Sequence, residues 1–305
     1  MIKKLLFKFL NLICLVTKKT VIYYNKNKYN SLGKTAVKSE LGFWYVGNIF
    51  DQSDIAYGIA NNGFVEPEET DIVKQILETN LVKSEKQVFY DIGANTGYYG
   101  IVAAWLGRGN IKVHSFEPLV EHISCLNESV RLNRLDDSLT SHLIALSDIN
   151  KTDIIFTAGS GTSFDENFLG DINAPKREVQ LCKLDDLVLE EKIPQPDFIK
   201  IDVEGHEFKV LNGAFKVIST GLPVVFMEVA YSLKNIGRKF INQNYEETFK
   251  YFEVLGYSTF IVDGPCLREY KCEEHIDGVR MFLFIHSVKH VDLFDKLKFC
   301  SSDNN

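Results

Sequence analysis

The chain has no pair of cysteines at CxxC spacing, no acidic residue in its first 39 positions, and no apolar run long enough to cross a bilayer. Its six cysteines, Cys14, Cys125, Cys182, Cys266, Cys272 and Cys300, are widely scattered. That scatter makes a disulfide framework or a structural zinc site unexpected and suits a reducing cytoplasm. The missing N-terminal acids create an asymmetry. Residues 1–39 hold nine lysines, so residues 40–305 carry 25 basic and 41 acidic side chains, a net charge of −16. An acidic body argues against a nucleic-acid partner, because phosphate binding needs a positive surface. The early apolar stretch Leu5 to Val16 is too short to span a membrane, is interrupted by Lys8 and Asn11, and precedes no small-residue cleavage site. Lys4, Lys8, Asn11 and Lys18 fall on one helical face, opposite Leu5, Phe9, Leu12, Ile13 and Val16. This pattern suits peripheral contact of residues 1–20 with an anionic membrane face; an amphipathic helix docked on the domain gives the same pattern.

From residue 66 onward the chain alternates. "EPEETDIVKQILETNLV" has helical spacing with acids in its first turn, "QVFYDIG" reads as a strand, and "GYYGIVAAWLG" as a helix closed by Gly107. "NIKVHSFEP", "VEHISCLNESVRLNRL" and "SHLIALSD" continue as strand, helix and strand. "DFIKIDVEG" and "PVVFMEV" are short and almost wholly apolar, as in strands buried on both faces. A late helix, "YEETFKYFEVLGY", precedes two late strands, "STFIVDG" and "VRMFLFIHS". This order predicts a parallel sheet flanked by helices. Residues 149–187 break it with two strand-like runs around a Gly-, Ser-, Asn- and Asp-rich middle, which reads as an excursion at the sheet's carboxyl edge, a place for a lid or substrate wall. The tail "FCSSDNN" is expected to be disordered.

The turn after the first strand, "DIGANTG", limits the ligand. A dinucleotide turn needs G-x-G-x-x-G; counting from Gly93, the second and third glycine positions hold Asn95 and Tyr98. The phosphate loop fails as well, since no Gly-Lys follows. Asp91, two residues before Gly93, would repel a pyrophosphate and attract a cationic ligand such as S-adenosylmethionine. A helix-capping aspartate is the structural alternative. Glu117, 26 residues on at the tip of the second strand, suits ribose hydroxyls, a use it would also have with a nicotinamide cofactor.

The segments "FYDIGANTGYYG", "FEP", "ALSD", "KLDDL" and "IKIDVEGHEFKVLNGA", in that order, closely resemble the FkbM-type S-adenosylmethionine-dependent methyltransferases over roughly residues 65 to 288. The resemblance implies an α/β class I methyltransferase fold, a Rossmann-like, mostly parallel seven-stranded sheet with one antiparallel strand and helices on both faces. It divides the chain into an N-terminal basic and connecting segment, 1–64, a methyltransferase domain, 65–288, and a tail, 289–305. It implies O-methylation, often of sugar hydroxyls. By motif position Asp91, Gly93, Asn95 and Gly97 would surround the methionine portion of the cofactor and Glu117 the ribose. Ser147 and Asp148 would lie near the adenine, and Asp202 would face the methyl group and the acceptor.

A sugar hydroxyl is a weak acid, so a general base is expected. The acidic and basic groups of "IDVEGHE" are Asp202, Glu204, His206 and Glu207, and Glu228 follows on the next strand. Asp202, at a strand tip, is the first choice. His206 has a suitable intrinsic pKa yet opens a helix, where a capping or surface role is as natural. Glu204 and Glu207 suit helix capping. D-x-E-x-H-E is not a spacing that identifies a metal, so no catalytic metal is expected. Base methylation is disfavoured because the fourth strand lacks the Asn/Asp-Pro-Pro-aromatic segment. The leading reading is a cytoplasmic O-methyltransferase of a glycan, polysaccharide or glycolipid; peripheral contact of residues 1–20 with the inner membrane face would be consistent with a lipid-linked acceptor. A small metabolite or peptide acceptor, or a scaffold that keeps the fold without catalysis, are the competing readings.

Overall fold

The computed structural model describes residues 21–23, 34–83, 86–158, 161–164, 175–190, 192–231, 242, 244–276 and 278–300. The segment read as membrane-facing, residues 1–20, lies outside them. Among the described residues no helix is long and apolar enough to cross a membrane.

In chain order, three short antiparallel strands come first: β1 (Val21–Tyr23), β2 (Thr35–Lys38) and β3 (Trp44–Gly47). Helices α1 (Ile55–Asn62) and α2 (Pro67–Lys83) follow. Then β4 (Gln87–Ile92), α3 (Tyr98–Gly107), β5 (Ile111–Phe116), α4 (Val120–Asn133) and β6 (Leu139–His142) alternate. Next come β7 (Ala145–Leu146), β8 (Lys151–Ala158), β9 (Gly161–Ser163), β10 (Lys176–Cys182) and α5 (Leu184–Leu189). The chain continues through β11 (Phe198–Ile201), α6 (Glu207–Gly213), α7 (Phe215–Gly221), β12 (Val224–Ala230), α8 (Tyr245–Val254), β13 (Tyr257–Asp263), β14 (Cys266–Glu269) and β15 (Val279–His286).

The central sheet has the order β14-β13-β15-β12-β11-β4-β5-β6. β6, β5, β4, β11 and β12 are parallel, and β15 is antiparallel to both β12 and β13. This is the mostly parallel α/β sheet expected of a class I methyltransferase, with one addition. The hairpin turn at Gly264 and Pro265 returns the chain as β14, antiparallel to β13, giving an eighth strand where seven were expected. All four residues of β11 are buried, as its apolar run required. Each fully buried Phe or Ile of this kind stabilises the fold by about 1.5–3 kcal/mol.

The 149–187 excursion joins β7 in a second sheet, β7-β10-β8-β9, in which β10 pairs parallel to β7 and antiparallel to β8. "SHLIALSD" is therefore not one strand. β6 stays in the central sheet, while Ala145 and Leu146 leave it to pair with β10.

The N-terminal strands are part of the body. Phe43 and Tyr45 beside β2 and on β3, and Ala56 and Ile59 on α1, share an apolar cluster with Ile101 and Val102 of α3. The Tyr45 hydroxyl is hydrogen-bonded to Thr96 Oγ1 in the turn after β4, so this small sheet props the turn from behind.

Two expectations at the C-terminus are corrected. Cys266 and Cys300 form a disulfide, 34 residues apart in sequence. Leu267 donates its N–H to the Lys298 carbonyl and accepts one from Cys300, which lays the chain end along β14 and brings the sulfurs together. Phe299 stacks against Phe294 and packs on Phe260, so the first two residues of "FCSSDNN" are tied down.

Candidate active site

The carboxyl ends of β4, β5, β11 and β12 converge on one cavity of about 250 Å³. Gly93, Asn95, Glu117, Lys200, Asp202, Glu204, His206 and Glu228 line it, and Phe164 of the excursion and Ser53, Ile55 and Val65 of the N-terminal region close its sides. The excursion is thus a cavity wall. A neighbouring groove of about 370 Å³ lies between the start of α2, the β13–β14 turn and the start of β15. The two share Glu66, Asp202 and Glu228.

The turn after β4 is set by its glycines. Gly93 has φ +76° and Gly97 φ +89°. A Cβ on Gly93 would lie 1.8 Å from the Asp202 carbonyl oxygen, and one on Gly97 2.2 Å from Leu126 Cδ1. The glycines therefore serve the close approach of β11 and α4 to the turn. Asn95 sits at φ +52° and donates its backbone N–H to Glu117 Oε2 at 2.9 Å.

Asp91 is 1 % exposed and does not line the cavity. Its Oδ2 accepts the Gly100 N–H at 2.9 Å, in the first turn of α3. A protein carboxylate thus occupies the helix terminus where a pyrophosphate would otherwise be held. Burial raises its pKa to about 6, with Lys200 and the Gly100 amide opposing and Asp202 and Glu117 adding to the rise. The helix-cap alternative is what the geometry displays, and any effect on a ligand is transmitted through the turn and the local field.

Glu117 is buried at the tip of β5. Its Oε1 accepts the Leu119 N–H at 3.0 Å and pairs with His122 Nδ1 at 3.1 Å. Burial opposes charge on His122, but Glu117 outweighs it and raises the imidazole pKa. Each Glu117 oxygen is anchored from the protein side while the residue still faces the cavity.

Ser147 and Asp148 do not line the cavity; Ala145 and Leu146 do. Ser147 is 1 % exposed and its Oγ is hydrogen-bonded to His206 Nε2 at 2.9 Å and to Asp148 Oδ1 at 3.2 Å. His206 precedes α6 with its ring 4.4 Å from that of Phe164. Burial, then Lys209, lowers its pKa to about 4, so it is neutral near pH 7 and a weak base. Its visible work is to join the β7 end to the β11–α6 loop.

The remaining carboxylates separate by environment. Glu207 is buried and folds the loop: its Oε1 accepts the N–H groups of Gly205 at 3.0 Å and Val203 at 3.3 Å, and burial pushes its pKa to about 7. Glu204, at φ +54°, is pushed to about 8 by burial and by Asp202 and Glu207. Glu228 is pushed well above the carboxylate range by burial and by Asp202, Glu204 and Glu207, with Lys200 opposing. Asp202 is different. Its Oδ2 takes a 2.9 Å hydrogen bond from the Lys200 ammonium, its side chain is 28 % exposed, and its Oδ1 has no partner among the described residues. Asp202 therefore presents an open oxygen to the cavity.

Sequence reasoning missed Lys200, Glu66 and Tyr99. A lysine inside the otherwise apolar run "FIKI" was the available signal, because a lone charge in a buried strand needs a partner. Glu66 and Tyr99, joined by a 2.6 Å hydrogen bond from the Tyr99 hydroxyl to Glu66 Oε2, left no comparable mark. Among the described residues no group of three His, Cys, Asp or Glu side chains is arranged to hold a metal ion.

Comparison with known proteins gives one family match: residues 91–259 fit the model of the methyltransferase FkbM domain. No curated protein matches the chain. Among solved structures, a methyltransferase FkbM from Methylobacillus flagellatus KT is 16% identical with a TM-score of 0.46, over 75% of this chain and 53% of that one. TYW2 from M. jannaschii, solved with AdoMet, is 15% identical with a TM-score of 0.40, over 88% and 92%. A precorrin-6y C5,15-methyltransferase from Geobacter metallireducens GS-15 is 12% identical with a TM-score of 0.37, over 69% and 86%. This chain spans about half the length of the first of these. Likenesses this distant do not bear on substrate.

Proposed function

Because the chain belongs to the FkbM methyltransferase family, we propose that it is an S-adenosylmethionine-dependent O-methyltransferase that acts on a sugar hydroxyl of a glycan or glycolipid. The observation that carries this reading is the meeting of two spaces at Asp202 and Glu228, a cavity walled by the glycine turn and Glu117 and a groove beside it. The cavity fits the donor. Glu66, Glu117 and Asp202 line it against the single ammonium of Lys200, while Glu204, pushed to about 8, and His206, lowered to about 4, are mostly neutral near pH 7. Such a lining favours a cationic ligand with hydroxyls to bind and disfavours a pyrophosphate. When bound, S-adenosylmethionine supplies a methyl group on a sulfonium leaving group.

The protein's own part is to orient and deprotonate the acceptor. Gly93, Asn95 and Glu117 would hold the methionine and ribose ends from the β4 and β5 tips. An acceptor entering by the groove would place its hydroxyl at the shared wall, where the open Asp202 oxygen takes the proton. Glu228, on the same shared wall, would hydrogen-bond a neighbouring sugar hydroxyl. Glu66, Glu68, Glu69 and Asp263 line the groove and offer strong acceptors for further hydroxyls, with Arg280 as a donor. Positioning of this kind supplies much of the rate, since transfer needs the oxygen in line with the methyl group. The basic segment 1–20 would bring the enzyme to a lipid-linked acceptor at the membrane face.

The test is incubation of the full chain with methyl-labelled S-adenosylmethionine and separate panels of glycans, phenols and peptides. Label in the glycan fraction that survives mild alkali, as an ether does and a carboxyl ester does not, is the expected result. Label confined to phenols or peptides would remove the sugar assignment.

A further inference from the structure

Strand β11 is buried along its whole length, and its third residue is a lysine. Lys200 is 3 % exposed. An ammonium in such a place is held only if carboxylates and hydrogen bonds replace its lost water. Three acids do so from three directions. Asp202, just past the end of the strand, accepts its hydrogen bond at 2.9 Å. Asp91 is its register partner on β4, and Glu66 approaches from the start of α2. The Tyr99 ring of α3 lies 4.6 Å from the ammonium, and the Tyr99 hydroxyl is tied back to Glu66. Burial lowers the lysine's pKa, but Asp202, Asp91 and Glu66 together outweigh it and raise it above the ordinary range. Lys200 therefore stays charged, and Glu69, Glu204 and Glu228 around it also feel that charge.

We propose that Lys200 is the positioning residue of the site: its buried ammonium holds the Asp202 carboxylate at the junction of cavity and groove, facing the donor's sulfonium. Lys200 is the one side-chain partner of Asp202 among the described residues. Asp202 has a short side chain on a strand tip, so its direction is set by that single bond. Without the ammonium, Asp91 and Asp202 lose their common counter-ion in a poorly hydrated site. One of them then takes a proton, or the Asp202 carboxylate turns away. This inference rests on the donor reading above.

The sign of one binding ratio separates the possibilities. S-adenosylmethionine carries a sulfonium, whereas S-adenosylhomocysteine has a neutral thioether at the same place. Both would be titrated by calorimetry into the full wild-type chain and into Lys200→Met, Lys200→Arg and Asp202→Asn. Removing a positive charge would by Coulomb's law alone strengthen binding of a cation. If Lys200 positions Asp202, the preference for S-adenosylmethionine instead falls by at least about five-fold in Lys200→Met, because the oriented carboxylate is lost, while affinity for S-adenosylhomocysteine stays within about two-fold. Lys200→Arg restores the preference and Asp202→Asn reproduces the fall. A rise in the preference would make Lys200 a plain counter-charge and overturn the proposal. A parallel loss of both ligands in Lys200→Met, unrelieved in Lys200→Arg, would make its role structural and overturn it too. A wild-type chain that binds neither compound contradicts the donor reading itself.

Discussion

Gly93→Ala is expected to remove adenosyl-ligand binding and to lower folding stability by about 2–5 kcal/mol, the sum of left-handed backbone strain and overpacking. The new Cβ would sit 1.8 Å from the Asp202 carbonyl oxygen and 2.7 Å from its carbonyl carbon. Neither side can yield cheaply. Asp202 donates its N–H to the Ile92 carbonyl at 3.0 Å, and Ile201 pairs with Ile92 across β11 and β4. Relief must therefore move either the turn or the β11 tip, and both movements displace Asp202. For a chain of this size the thermal midpoint falls by about 2–4 °C per kcal/mol, so a drop of roughly 4–20 °C is the measurable result. Gly109→Ala is the control, since Gly109 has φ +91° with no atom within 4 Å of an added Cβ. It should show the backbone part alone. Equal midpoints for the two variants would show that close approach is not what requires glycine at position 93.

Asp202→Asn is expected to slow methyl transfer by about 100-fold or more, the usual scale for losing a general base, with S-adenosylhomocysteine affinity changed little. Asparagine keeps the size of the side chain and can still accept from Lys200, but it cannot take the acceptor's proton. His206→Gln provides the contrast. His206 is already engaged with Ser147 and its pKa near 4 makes it a poor base, so a loss below about ten-fold is expected from disturbance of the wall. The measurement is the labelled-methyl rate at saturating donor with an acceptor identified in the glycan panel. If His206→Gln falls as far as Asp202→Asn, the proton has been given to the wrong residue.

The legible parts of the sequence were those governed by local rules. The two glycines, the acid two residues before them and the carboxylate at the β5 tip follow from sterics and charge within a few residues, and the structure brings Gly93, Asn95, Glu117, Asp202, His206 and Glu228 to one cavity. Contacts between distant residues were not legible. Asp91 turned out to serve the Gly100 amide, a choice between cap and ligand that a sequence cannot make. Ser147 and Asp148 were placed at a strand end, but the chain leaves the central sheet after His142, which puts Ala145 and Leu146 at the cavity instead. The N-terminal strands β2 and β3 are only four residues each, too short for periodicity to show, although the turn leans on Tyr45. Lys200 broke the apolar pattern of its strand, yet its meaning needed three acids, Glu66, Asp91 and Asp202, two of them more than 100 residues before it. The Cys266–Cys300 pairing likewise depends on Leu267 drawing the chain end alongside β14.

The central claim is that the acidic cavity at the β4, β5 and β11 tips takes an adenosyl sulfonium compound. Calorimetric titration of the full chain with S-adenosylmethionine, S-adenosylhomocysteine and NADH, beside Glu117→Ala, tests it most directly. Both adenosyl compounds are expected to bind, NADH is not, and Glu117→Ala is expected to lose about 1.5–3 kcal/mol of affinity, the scale of a hydrogen bond to a charged group. Binding of NADH alone, or adenosyl binding that ignores the loss of Glu117, would contradict it.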